Sequence, residues 1–288
     1  MHWGDRREKF RAVLEGGACV HPASVFDPMS ARLAADIGYE IGMFSGSVAS
    51  LTILGAPDLV VLTLSEFVGQ ALRINRASAL PLMVDADHGY GNALNVKRTV
   101  EELETAGVCG LSIEDTLLPA AFGAPDKPQL LSIEEGVGKM RAALAGRQDK
   151  RLVVVGRSAS VGIAGVADTI ARAKAYEAAG VDAFFMAGAK TRAELEAVSA
   201  SIRIPLVLGA PSPELQDLDY LSGQRVRICI QGHLPIAAAM RAAYETLKAL
   251  REGMAPEDVP GLPSPELMKQ ATRDADYRRW IKDFLGGV

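Results

Sequence analysis

Short apolar runs and longer amphipathic stretches alternate along the chain with a regularity that predicts repeated strand and helix units. The runs are Ala18 to Phe26, Glu40 to Phe44, Leu82 to Val84, Gly110 to Ile113, Leu152 to Val155, Ala183 to Met186, Pro205 to Leu208 and Val226 to Ile230. Runs this short, bounded by turn-forming residues, read as buried strands. Helices are predicted over Ser65 to Ala77, Val96 to Ala106, Ile133 to Ala145, Ala167 to Ala179, Arg192 to Ser201 and Pro235 to Arg251. A further helix is predicted over Asp5 to Gly16, and Asp27-Pro28-Met29-Ser30 reads as a capped helix start leading into Ala31 to Ile37. Eight strand candidates, each followed by helix or loop, predict a closed parallel (β/α)₈ barrel. An open doubly wound sheet is the alternative, and it needs no closure between the first and last strands.

After Gly253 the composition changes. Pro256, Pro260, Pro263 and Pro265 mark a linker, and Ser264 to Phe284 predicts one terminal helix carrying Trp280 and Phe284. The expected organisation is a barrel with its N-terminal helix over residues 1–253 and a C-terminal extension over residues 254–288. Aromatic side chains beyond a completed barrel need a surface to cover them. A neighbouring subunit and the chain's own barrel both qualify.

Composition narrows the class. Of 288 residues 49% are apolar, ample for a large core, and 31 basic against 35 acidic side chains leave a net charge of −4. Without like-charge blocks, this balance argues against a nucleic-acid groove or a membrane surface and leaves a small polar or anionic metabolite open. Cys19, Cys109 and Cys229 lie in apolar stretches without a Cys-x-x-Cys spacing, which argues against a disulfide framework or a zinc site and suits a reducing cytoplasm. The first ten residues are charged and do not read as a signal peptide, and no run is long enough to span a bilayer.

Candidate chemistry gathers where the predicted strands end. Strand three ends in Asp85-Ala86-Asp87-His88, strand four in Glu114-Asp115, strand five in Arg157-Ser158, strand two in Ser45-Gly46-Ser47 and strand eight in Gln231-Gly232-His233. Strands six and seven end in Ala187-Gly188 and Gly209-Ala210 and contribute room. The period of two places Asp85 and Asp87 on one side. Paired carboxylates repel unless a cation or a shared proton lies between them, and a hard ion such as Mg²⁺ is the simplest resident. A solvated loop capping the next helix is the plainer reading. Glu114 is either a third acid around the metal and its waters or a structural ion-pair partner. Arg157 either pairs with these acids or clamps a substrate carboxylate, two compatible uses. Ser45, Gly46 and Ser47 form either an ordinary turn or a nest of amides and hydroxyls for a carboxylate or carbonyl oxygen. His233 is either a satisfied core histidine or a group across the barrel mouth from Asp85.

The succession Phe26-Asp27-Pro28-Met29-Ser30-Ala31, Ser45-Gly46-Ser47-Val48-Ala49, Asp85-Ala86-Asp87-His88-Gly89-Tyr90-Gly91 and Ile113-Glu114-Asp115 resembles the isocitrate lyase and phosphoenolpyruvate mutase superfamily. Thr116-Leu117-Leu118-Pro119, Glu134-Glu135-Gly136-Val137-Gly138-Lys139 and Gly232-His233 are most similar to its oxaloacetate decarboxylase branch. The resemblance implies a TIM-type barrel whose last helix is exchanged between subunits, a homotetramer built as a dimer of dimers, and Mg²⁺ as cofactor. It implies decarboxylation of a 2-oxo dicarboxylate such as oxaloacetate, with the metal held directly by Asp85 and mainly through water by Asp87 and Glu114. Arg157 and His233 then orient the substrate, Ser45, Gly46 and Ser47 supply donors, and the final proton comes from water or a rim side chain such as Tyr90 or His88. Two stretches depart from the pattern. Lyases of the superfamily carry Lys-Lys-Cys-Gly-His where this chain reads Pro119-Ala120-Ala121-Phe122-Gly123-Ala124, and relatives follow Arg-Thr with Asp or Asn where this chain has Arg157-Ser158-Ala159. The alternatives are a carbon–carbon or carbon–phosphorus lyase or hydrolase of the same superfamily, or a 2-oxo-acid-binding protein without turnover.

Overall fold

The computed structural model describes residues 2–123 and 127–286, so Ala124 of the departing stretch lies outside the described residues. Eight parallel strands follow one another in a single sheet in chain order: β1 (Ala23–Ser24), β2 (Gly42–Phe44), β3 (Leu82–Asp85), β4 (Gly110–Glu114), β5 (Val153–Ser158), β6 (Ala183–Ala187), β7 (Leu206–Gly209) and β8 (Val226–Ile230). A parallel bridge between Val20 and Ile228 joins the last strand to the segment entering the first, with Val20 N donating to Arg227 O and Cys229 N to Val20 O, both at 2.9 Å. This closure makes the sheet an α/β barrel and removes the open doubly wound alternative, which has free edges.

Alternation along the strands sorts core from helix layer. Val153 and Val155 of β5, Ala183 and Phe185 of β6, and Ile228 and Ile230 of β8 share one buried cluster with Met43, Met83, Cys109 and Val207. Their intervening neighbours face outward, as where the ring of Tyr176 lies against Gly156. The N-terminal helix (Trp3–Glu15) adds Phe10 and Leu14 to the same cluster. A Cβ on Gly110 would stand 2.7 Å from the Phe10 ring, so the absence of a side chain there lets Phe10 enter. Burying a ring of that size stabilises by about 1.5–3 kcal/mol.

Most predicted helices form within a few residues of their expected bounds, and their caps are those the sequence offers. Asp27 accepts from Ser30 N at 2.7 Å ahead of Pro28–Ile37, and Thr63, Asn92 and Thr191 cap later helices. Three expectations change. The first strand is two residues rather than the whole run Ala18 to Phe26, since Pro22 interrupts it and lacks an N–H for the ladder. The segment after β2 continues as a short helix (Gly46–Ala49) and a π-helical turn (Ser50–Leu54) that no periodicity announced. The terminal helix is two helices, Pro265–Thr272 and Asp274–Leu285, broken at Arg273, whose φ of 62° lies in the left-handed region.

The chain divides into two compact units at His233 and Leu234. The second carries the helix Leu234–Arg251 and the two terminal helices. No described helix is long and apolar enough to cross a membrane.

Candidate active site

A cavity of about 610 Å³ is lined by the C-terminal ends of the strands and the segments after them. Seven of the eight predicted site residues line it: Ser45, Ser47, Asp85, Asp87, Glu114, Arg157 and His233. The eighth, Gly46, packs its Cα against the Asp87 carboxylate, where a Cβ would overlap the carboxylate oxygens. Ala187, Gly188, Gly209 and Ala210 also line the cavity, at the places where the sequence supplies room.

Register explains the convergence. Glu114 and Arg157 are partners across β4 and β5, and Ser112, two residues before Glu114, pairs with Asp85 of β3. Arg157 forms ion pairs with Asp85 through Nη1 and with Glu114 through Nη2, the latter at 3.3 Å. Ser112 Oγ donates to the other Asp85 oxygen at 3.0 Å. The guanidinium lies 5.3 Å from the centroid of the Phe185 ring, so a cation–π contact supports it on a third side. Its Nε is buried without a partner among the described residues. Of the two uses foreseen for Arg157, pairing with the acids is the one in place.

Asp87 reaches the cavity by another route than the one expected. The strand ends at Asp85, so strict alternation does not carry to Asp87; a left-handed turn with φ of 48° does, and Asp87 N donates to Asp85 Oδ1 at 3.3 Å. Asp115, by contrast, turns from Glu114 into the helix layer. It is fully buried, accepting from Arg172 Nη1 at 2.9 Å and from Tyr176 Oη at 2.7 Å. His88 and Tyr90 do not line the cavity. The His88 carbonyl accepts from Lys139 Nζ at 2.8 Å, and the Tyr90 hydroxyl is buried without a described partner.

Two residues were missed in the sequence. Asp58, from the loop after β2, lines the cavity. Ser24, the last residue of β1, places its hydroxyl 2.9 Å from His233 Nδ1. Ser24 lies inside the predicted run Ala18 to Phe26, so inspection of strand ends does not reach it; only the shortened β1 makes it a strand end. Asp58 follows Pro57 in an irregular loop, and no local pattern marks it.

The electrostatics leave an excess of negative charge. Burial, followed by the charges of Asp85, Glu114 and Asp58, pushes the Asp87 carboxyl up to about 8. Burial likewise raises Glu114 despite Arg157, and raises Asp58 with help from Asp85. Burial also lowers His233 from its ordinary value, favouring the neutral ring. Arg157 itself is raised: burial opposes its charge, but Asp85, Glu114 and Asp87 outweigh it. Four carboxyls thus share one fixed cation, and their oxygens are the donors that a hard divalent ion takes. Among the described residues no three His, Cys, Asp or Glu side chains form a ready cage. An ion held here would take one or two carboxylates directly and water elsewhere, a coordination common for Mg²⁺.

Acids, an arginine and an imidazole collected over one cavity at the strand C-termini define an α/β-barrel enzyme for a small molecule. Residues 10–251 match the family described as phosphoenolpyruvate phosphomutase, and the chain belongs to this family. A protein of Bradyrhizobium diazoefficiens named oxaloacetate decarboxylase is 58% identical over 286 residues, covering 99% of both chains. Among solved structures, a phosphonopyruvate hydrolase in complex with oxalate and Mg²⁺ is 30% identical with a TM-score of 0.84, covering 97% of this chain and 99% of that one. An oxaloacetate acetylhydrolase bound to 3,3-difluorooxalacetate is 26% identical, also at 0.84, covering 99% and 98%.

Proposed function

We propose that this chain decarboxylates oxaloacetate to pyruvate and CO₂ with Mg²⁺ as cofactor, working in the cytoplasm as a homotetramer. The observation that carries the reading is full-length identity of 58% to a protein named oxaloacetate decarboxylase. The acids, Arg157 and His233 around one cavity agree with it.

Asp85 would hold the ion directly, and Asp87 and Glu114 mainly through water. The ion would supply Lewis-acid compensation for the charge released when the C3–C4 bond breaks. Arg157, fixed by Asp85, Glu114 and Phe185, presents a preorganised cation for a substrate carboxylate. Ser45 and Ser47, whose hydroxyls lie 2.8 Å apart, add donors to the cavity lining, and Gly46 lets Asp87 approach. Loss of CO₂ moves the bonding pair toward the C2 carbonyl and removes no proton from the substrate. A proton then adds at C3; water is the better source, because neither His88 nor Tyr90 lines the cavity.

The tetramer draws on the second unit. None of the side chains of Leu234–Arg251 is buried, and Leu234, Met240, Tyr244 and Leu247 are exposed apolar groups that a second copy would cover. The reading assigns 1–253 to the barrel, with an exchanged last helix, and 254–288 to the extension.

Product analysis by NMR after incubation with oxaloacetate and phosphonopyruvate tests the reading. Pyruvate and CO₂ from oxaloacetate support it. Oxalate with acetate, phosphate release from phosphonopyruvate alone, or binding without product each replace it with one of the rival activities.

A further inference from the structure

His233 lines the cavity, and its Nδ1 lies 2.9 Å from the hydroxyl of Ser24. Ser24 ends β1 and His233 follows β8, so barrel closure brings the two together from residues 209 positions apart. Ser24 is buried, with 9% of its surface exposed. A buried hydroxyl needs an acceptor for its proton. Two arrangements exist for this pair. If the hydroxyl donates to a bare Nδ1, the ring proton sits on Nε2. If instead Nδ1–H donates to the hydroxyl oxygen, the hydroxyl proton needs another acceptor, and among the described residues Ser24 Oγ makes no second hydrogen bond. Nδ1 being engaged, Nε2 is the nitrogen left for a ligand.

We infer that Ser24 is a positioning residue that donates to Nδ1 of His233, fixing the ring as the Nε2–H tautomer and making it a hydrogen-bond donor to an oxygen of the bound 2-oxo acid. The role of the donor rests on the function proposed above; the tautomer does not. His21 supplies the opposite case within the same molecule. Its Nδ1 lies 2.7 Å from the Cys229 carbonyl oxygen, which can only accept, so there Nδ1 carries the proton. Burial, which lowers His233 and so favours the neutral ring, agrees with a fixed tautomer. The chemistry agrees too. Decarboxylation takes no proton from the substrate, so a donor helps by binding oxygen as charge develops on it. A hydrolase that relied on His233 to deprotonate water would need Nε2 bare.

Magic-angle-spinning ¹⁵N spectra of protein labelled with [Nδ1-¹⁵N]histidine read the tautomer directly. The chain has four histidines, and His233→Gln identifies the line of interest by its loss. His233 is expected at the unprotonated position and His21 at the protonated one. Ser24→Ala should move His233 toward the protonated position and lower kcat for oxaloacetate about tenfold, the worth of one hydrogen bond, with Ser24→Thr restoring both. A protonated Nδ1 on His233 in the unmodified protein overturns the inference, whatever the variants do. So does a Ser24→Ala protein whose His233 line and kcat match the parent. The spectrum is taken without turnover, so a failed decarboxylase assay beside the expected tautomer would strike the function and leave the Ser24 assignment standing.

Discussion

Arg157 occupies the space that Asp85 and Glu114 would otherwise contest, and its two carboxylate partners and the Phe185 ring leave it little freedom. Replacing it removes the cation and leaves acids unpaired. With Mg²⁺ present, Arg157→Ala is expected to weaken oxalate binding by about 10- to 100-fold, the range of a hydrogen bond to a charged group, as read by calorimetry. Unchanged affinity would mean that the carboxylate binds elsewhere. Gly46→Ala would drive a methyl group into the Asp87 carboxylate. It should lower the metal-dependent rate by at least about tenfold through misplacement of that acid, while the melting temperature stays near the parent's. Equal loss of both would indicate a folding defect instead. Much of this site was legible because strand ends carry chemistry in a barrel: Asp85, Glu114, Arg157 and His233 all announce themselves by following an apolar run. Asp58 does not, since only the folded loop brings it to the cavity, and the position of Asp87 depends on a left-handed turn that strand alternation does not describe.

At the level of elements, one strand serves two sides. Glu114 faces the cavity, and the next residue, Asp115, locks the helix Val166–Ala179 to β4 through Arg172 and Tyr176. The N-terminal helix is tied down by another set of charges. Asp149 receives Arg7 Nη1 and Arg151 Nε, each at 2.9 Å. Bonds from Arg151 and Arg7 outweigh desolvation and hold the Asp149 carboxyl well below its ordinary 3.8. A carboxyl depressed in the folded state contributes stability above its unfolded pKa, and that contribution fades as pH falls toward the folded value. Urea unfolding of the parent and Asp149→Asn should therefore differ steadily at neutral pH, with the gap closing below about pH 4. A gap independent of pH would contradict this role. Strand and helix order was readable from periodicity, whereas the break at Arg273 was not. Thr272-Arg273-Asp274 contains neither Gly nor Pro, and a left-handed arginine closing the helix with its N–H toward the Lys269 and Gln270 carbonyls is not signalled by composition.

For the whole molecule, the sequential strand order and the Val20–Ile228 bridge turn a repeating pattern into a closed ring; closure is what lets Ser24 meet His233, while the register of β3, β4 and β5 alone brings Asp85 to Arg157. The count of strands was available from the chain, but a count alone does not distinguish a ring from an open sheet. The exposed apolar face of Leu234–Arg251 extends the account to assembly. Sedimentation velocity should find a tetramer, and a stable monomer at micromolar concentration would remove that proposal. The central claim is that these rim acids serve a metal-assisted decarboxylation, and the initial rate of oxaloacetate loss with Mg²⁺, with EDTA, and with Asp85→Asn tests it most directly. The expected result is rapid pyruvate formation with Mg²⁺ that falls in EDTA to the non-enzymatic background and by on the order of 10²–10³ in Asp85→Asn. A parent rate no higher than that of the metal ion alone, or an Asp85→Asn enzyme as fast as the parent, would contradict it.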